Sequence, residues 1–394
     1  MTETNTSMHL SGADILRDGK IEKSEIGISE GAFVDACGGR RIDLTGYYIL
    51  PGIIDLHGDA FERHLAPRPS APFKPEIGLR STERELLSNG VTTAYLAQSW
   101  SWEGGFRSAD KTETLLNAVA QYRSSMTADM RVQIRFEYYL TGDGDRLLAA
   151  ADRFGVDYIV FNNHLDEGLE MAGKKPAALA NWAAQNKRTA EEHLKLMRDA
   201  KATEAQVPDF ITRLGQEFAQ RGIESGSHDD GTAQLRARFD SAGASICEFP
   251  TTIEAAEKAR ELGNPILMGA PNVVRGGSQS GNIAATDLID RELCDVLVSD
   301  YYAPALSTAV WTLVDAKRLP LDQAWAMVST NAARARNWTD RGDIAVGQRA
   351  DAVIMNKETR VIEGSIAAGR IGFATGGFAN RLFETAVDMR SAAA

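Results

Sequence analysis

The sequence predicts an α/β fold, a (β/α)8 TIM barrel with a small β-sandwich built from both termini. Eight short apolar runs alternate with amphipathic stretches between about residues 50 and 335, the pattern of strands followed by helices. The runs are apolar almost throughout, as strands buried on both faces are. Short, Gly-punctuated strand patterns at 8–50 and 343–356 stand outside that repeat. The domains are therefore expected at 1–50 with 340–394, and at 51–339.

Taken in order, the barrel strands are expected at 52–57 (GIIDLH), 91–98 (VTTAYLAQ), 131–140 (RVQIRFEYYL) and 157–163 (DYIVFNN). The series continues at 222–228 (GIESGSH), 244–250 (ASICEFP), 265–272 (PILMGAPN) and 295–300 (DVLVSD). Helical spacing is clearest at 111–126, 146–154 and 252–262. Residues 165–221 hold no strand pattern and are rich in Ala, Lys, Glu and Gln, so they read as a helical insertion. Because it begins directly after His164, it is expected to cover the barrel mouth. The last stretch, 374–394, is expected to hold a helix and then a tail.

Hydrophobic residues at 43% and charged residues at 25% are ordinary globular values, which excludes a disordered or fibrous chain. Forty-three basic against 54 acidic residues leave a net charge of −11, which argues against a nucleic-acid partner. An acidic total still admits a phosphorylated small molecule, because metal ions and a few arginines reverse the sign of a pocket. No apolar stretch reaches the ~18 residues of a membrane span, and residues 1–12 lack a secretion signal. Cys37, Cys247 and Cys294 are dispersed, without CxxC spacing, and read as structural thiols in a reducing compartment. A cytoplasmic homo-oligomer is expected, with no membrane partner.

The chemistry gathers at strand ends. His57 and Asp59 stand two apart at the end of the first barrel strand, so both can face the mouth where active sites of this fold lie. His164 and His228 follow directly on apolar strands, Glu137 interrupts one and Asp300 ends another. Buried carboxylates are costly unless paired or bound to a metal, so this set reads as a metal site. No lysine stands at an apolar strand end, which makes Glu137 the candidate for an anion bridging two metals. His9 and His193 are expected to face solvent, and His64 to lie in a surface loop. Asp229 and Asp230 either orient an imidazole, bind a metal or cap the following helix. In the loop APNVVRGGSQSGN (270–282), Arg275 brings a permanent charge, Gly276 and Gly277 bring backbone N–H groups, and Ser278 and Ser280 bring hydroxyls. Together these suit phosphate oxygens, with Arg68 of the first loop as a second charge.

The LPGIIDLH start, the strand-end histidines, the final Asp and GDIAVGQRADAVIMN resemble the amidohydrolase superfamily of metal-dependent barrel hydrolases. More narrowly, HGDAFERHLAPRP, SHDDGT, EFPTTIEAAEKARELG, MGAPNVVRGGSQSGN and SDYYAPAL resemble the phosphonate-pathway diphosphatases acting on ribose 1-methylphosphonate 5-triphosphate. The resemblance spans about residues 50–355 and is densest at 224–304. It implies metal binding by His57, Asp59, Glu137, His164, His228 and Asp300, with His-x-Asp in the first strand as in the narrower family. The expected cofactor is a pair of divalent ions, zinc by the histidines and manganese or iron by the carboxylates. Asp300 is expected to take the proton of the attacking water. A hydrolase of the same fold acting on an amide, and a barrel that only binds a ligand, are the rival readings.

Overall fold

The structure is a computed structural model that describes residues 7–68, 71–186, 188–278 and 281–384. Eight parallel strands pair in chain order: β1 (Ile53–Gly58), β2 (Val91–Trp100), β3 (Asp129–Glu137), β4 (Tyr158–Asn162), β5 (Glu224–His228), β6 (Ala244–Glu248), β7 (Ile266–Gly269) and β8 (Val296–Val298). The barrel closes where Gly58 bridges Asp300 in parallel. Around that seam the Asp300 N–H donates to the His57 carbonyl (2.9 Å) and the Asp59 N–H to the Asp300 carbonyl (2.8 Å). The buried Asp55 carboxylate also accepts from the Ser299 N–H at 2.9 Å.

Two strands end three residues before their apolar patterns suggest, and the helical insertion is shorter than its expected range. β3 stops at Glu137 because β4, its partner, runs out at Asn162, and residues 138–140 turn instead. β7 stops at Gly269, after which Ala270–Arg275 is a short helix with Pro271 in its first turn, where a missing N–H costs nothing. Residues 165–221 fold as helices Leu165–Lys174, Pro176–Gln185, Ala190–Lys201 and Val207–Gln220. The last of these buries Phe210, Leu214 and Phe218 in the main core, so it is the barrel's own crossover between β4 and β5. The departure from the barrel repeat is thus 165–206.

Both chain ends meet in the second unit. The strand Ala352–Asn356 pairs antiparallel with Tyr47–Pro51 inside a six-stranded sheet. A four-stranded sheet from residues 8–43 packs on it, with Leu10, Ile28, Phe33, Ile49, Ile354 and Phe378 between them. His9 lies in the strand Met8–Ser11 and is buried, against the expectation of a solvent-facing terminus. The helix expected near the C-terminus spans Gly376–Phe383, and the tail after residue 384 lies outside the described residues. No described helix is long and apolar enough to cross a membrane.

The N-terminal end of the barrel is plugged by charge and aromatic stacking. Trp338 takes the guanidinium groups of Arg131 (4.9 Å) and Arg341 (4.8 Å) on its ring, and stacks on Tyr95 at 6.1 Å. Asp129 accepts from both arginines, at 2.9 and 2.7 Å. Burial opposes its charge, but these bonds hold its carboxyl at about 2, below the ordinary ~3.9. A depressed carboxyl stabilises the fold above its unfolded-state value and loses that contribution as pH falls toward its folded value. Asp129→Asn is accordingly expected to cost about 2 kcal/mol at pH 7. The difference from the parent should shrink between pH 4 and 2, as followed by urea denaturation across that range.

Candidate active site

The strand ends carry two groups of metal-competent side chains. His57, His228 and Glu248 bring ligand atoms within 4.8 Å of one another, and so do Glu103, Glu137 and His164. The first group is built from β1, β5 and β6. The second comes from the ends of β3 and β4 and from the loop after β2. Imidazoles and carboxylates in these combinations suit a divalent cation.

His57 is held from behind. Its Nδ1 lies 2.9 Å from Glu248 Oε2, while Glu248 Oε1 accepts from Gln133 Nε2 at 2.6 Å and the Tyr158 hydroxyl at 2.5 Å. Both oxygens of Glu248 are therefore engaged, so it orients His57 and leaves Nε2 as the free ligand atom. Burial opposes charge on both partners, but their mutual attraction and hydrogen bond raise His57 and lower Glu248. The His228 ring sits 5.3 Å from that of His57, and Phe249 packs on both, at 5.0 and 4.9 Å. His228 Nδ1 is 2.8 Å from Asp229 Oδ2. Burial holds His228 below the usual histidine range, which favours the neutral form that binds metal.

In the second group His164 Nδ1 stands 3.2 Å from both Glu103 Oε1 and Glu137 Oε1. Burial disfavours an imidazolium there, yet the bonds to the two carboxylates carry its pKa up to about 9. Glu103, against the same burial, falls to about 2 through His164 and Arg107. An imidazole between two carboxylates is a place where a metal cation can replace a proton, so the donor chemistry fits.

Asp300 follows β8 with φ of +54°. Burial, with Asp59 beside it, pushes its carboxyl up to about 6. It lines a cavity of about 200 Å³ together with Arg135, His228, Asp229, Phe249, Asn272, Arg275, Gly277, Ser278 and Tyr301. One opening thus joins the half-buried His228 and Asp300 to the loop after β7.

Several expected residues fall elsewhere or act differently. Asp59 belongs to neither group; β1 ends at Gly58, and the Asp59 carboxylate reaches Arg135 Nη1 at 3.8 Å. The Gly276 and Gly277 N–H groups donate to the carbonyls of Val273 (3.2 Å) and Asn272 (3.0 Å), ending the short helix, so they are not free for a ligand. Their positive φ of 75° and 157° suits glycine and sets Arg275 and Ser278 at the cavity. Arg68 is exposed and does not line the cavity, and Ser280 lies outside the described residues. Thr232, not an aspartate, caps the helix Ala233–Ser241, while Asp230 is buried against Arg236 and Ser227. His64 bonds Glu85. His193 is fully buried between Trp102 and Trp182, at 5.5 and 4.8 Å, because the insertion folds onto the loop after β2.

Glu248, Glu103 and Arg135 stand outside the set expected from the sequence. Glu248 ends an apolar strand just as Glu137 does, so the same burial argument points to it. Glu103 sits in an irregular loop and is brought in by Arg107, Trp182 Nε1 (3.2 Å), Arg188 and His164.

The amidohydrolase family model matches residues 77–367. The alpha-D-ribose 1-methylphosphonate 5-triphosphate diphosphatase of Escherichia coli K12 is 32% identical over 329 residues, covering 80% of this chain and 85% of that protein. Two solved structures share the fold. The β-aspartyl dipeptidase of Fervidobacterium islandicum AW-1 has a TM-score of 0.63 at 15% identity, over 95% of this chain and 98% of its own. N-acetylglucosamine-6-phosphate deacetylase of Pasteurella multocida has a TM-score of 0.62 at 12% identity, over 93% of this chain and 99% of its own.

Replacing Glu248 tests the orienting role directly. Glu248→Gln keeps the size but loses the charge on His57 Nδ1, and is expected to weaken zinc affinity by roughly 10–100-fold. Equilibrium dialysis followed by elemental analysis measures this; an affinity equal to the parent's would exclude the role.

Proposed function

The chain belongs to the amidohydrolase family, and on that footing we propose that it is a metal-dependent diphosphatase cleaving a ribose 5-triphosphate, of which ribose 1-methylphosphonate 5-triphosphate is the leading candidate. The observation that carries this reading is the single cavity that Asp300 and His228 share with Arg275 and Ser278. A triphosphate is long enough to use both, whereas a neutral amide has no use for an arginine there. The 32% identical relative is named for that substrate.

Two divalent ions, zinc by the imidazoles or manganese or iron by the carboxylates, would be held by His57, Glu137, His164, His228 and Asp300, with Asp59 turning from Arg135 to join them, and would supply Lewis acidity and a water that ionises near neutral pH. Glu248 keeps the His57 imidazole turned toward that site, and the Asp229 carboxylate stands beside His228 Nδ1. Asp300, which lines the cavity, takes the proton of the attacking water and passes it on. Water oxygen bonds to the α-phosphorus, the α–β bridging bond breaks, and pyrophosphate leaves with the electron pair. Arg275 neutralises the departing phosphates through its planar fork, with the Ser278 hydroxyl beside it. The helices of residues 165–206 sit on Glu103 through Trp182 and Arg188 and shield that side from water.

Incubating the purified, metal-loaded protein with the triphosphate and following phosphorus NMR tests the activity. Pyrophosphate and the 5-phosphate are expected; cleavage of N-acyl or cyclic amides with the triphosphate left intact would instead favour an amide hydrolase. Chelation should abolish turnover and zinc restore it. Arg275→Ala is expected to lower kcat/KM by about one to two decades, since a charged hydrogen bond is worth ~1.5–3 kcal/mol. Arg275→Lys should recover only part. A triphosphatase unaffected by Arg275→Ala would rule out the phosphate role of this loop.

A further inference from the structure

We propose that Arg135 is a catalytic residue, the cation that grips the phosphoryl group while it is transferred; the proposal rests on the phosphoanhydride reading above. Arg135 precedes Glu137 by two on β3, which puts both side chains on the same strand face. It is only 7% exposed, and it lines the cavity with His228 and Asp300.

Its guanidinium is poorly satisfied for a buried charge. Nη2 reaches Asn162 Oδ1 and His164 Nε2 at 3.4 Å each, Nη1 reaches Asp59 Oδ2 at 3.8 Å, and buried Nε has no hydrogen-bond partner. Arginine carries five N–H donors and stays protonated. A buried charge with loose partners is costly. The carboxylates that could have neutralised it, Glu137 and Glu103, are turned to His164 instead. A cation with unused donors at the edge of a cavity matches an anion with several oxygens, and the guanidinium fork fits phosphoryl oxygens bidentately.

The two arginines of the cavity then divide the substrate. Arg135, beside Asp59 and His164, meets the α-phosphoryl group, where charge builds as the water oxygen bonds to phosphorus and the α–β bridge breaks. Arg275, exposed at the end of the helix Ala270–Arg275, meets the pyrophosphate that leaves. The proton of the water goes to Asp300. Loss of Arg135 therefore belongs mainly to kcat, and loss of Arg275 to binding of the outer phosphates.

The test compares metal-loaded parent, Arg135→Gln, Arg135→Lys and Arg275→Ala. Arg135→Gln is expected to lower kcat by about 10²–10³-fold with a smaller rise in KM, at unchanged zinc content and melting temperature. Arg135→Lys should restore part of the rate. By calorimetry, affinity for inorganic orthophosphate should fall at least tenfold in Arg135→Gln. Full kcat and full phosphate affinity in Arg135→Gln would overturn the proposal. So would a rate loss that merely follows a loss of zinc, because Arg135 would then be only a counter-charge to the ligands. If the parent leaves the triphosphate intact, the phosphoanhydride reading fails by itself, and the orthophosphate titration still decides whether Arg135 is an anion site.

Discussion

The buried Glu248 carboxylate is the contact on which the barrel mouth depends. It ends β6 and accepts hydrogen bonds from His57 on β1, Gln133 on β3 and Tyr158 on β4. An unpaired charge in that position would cost several kcal/mol. Three donors from three other strands remove the penalty only when the strands keep their register. The same bonds that make the carboxylate tolerable thus fix the direction of His57, and with it the first group of ligand atoms.

Backbone geometry at the strand ends adds to this. Asp229, Phe249 and Asp300 follow β5, β6 and β8 closely, and all have positive φ, of 61°, 51° and 54°. Such conformations cost of order 1–3 kcal/mol each for residues other than glycine, and least for aspartate. They turn the Asp229 carboxylate onto His228, the Phe249 ring onto both imidazoles and the Asp300 carboxylate into the cavity. Local strain and side-chain aim are here the same feature. The seam bonds between residues 57–59 and 300 hold the last of them in place.

The cavity is also an electrostatic balance within an acidic protein. Burial raises the Asp300 carboxyl, and the nearby Asp59 and Asp229 add to the rise. Arg135 and Arg275 bring positive charge to the same opening. A chain of net charge −11 can in this way present an anion-binding pocket without a basic surface.

The sequence by itself determined the fold class and marked out most of the polar groups at the strand ends. Two-face burial makes a parallel strand almost wholly apolar, so a His or carboxylate at its end stands out, as His57, Glu137, His164, His228 and Asp300 do. The pairing of Tyr47–Pro51 with Ala352–Asn356 was foreshadowed by short strand patterns at both termini. Only the tertiary structure decided which groups meet. Glu103 joins Glu137 and His164 because the helices of 165–206 press on its loop, and those helices also bury His193, whose charged neighbours in sequence suggest solvent. The Gly276 and Gly277 N–H groups, which a glycine pair leaves open on paper, are taken up in ending a helix that starts at Ala270. Periodicity reports whether a residue is buried. It does not report which distant strand supplies the partner, because that is set by barrel closure, strand register and the path of each loop.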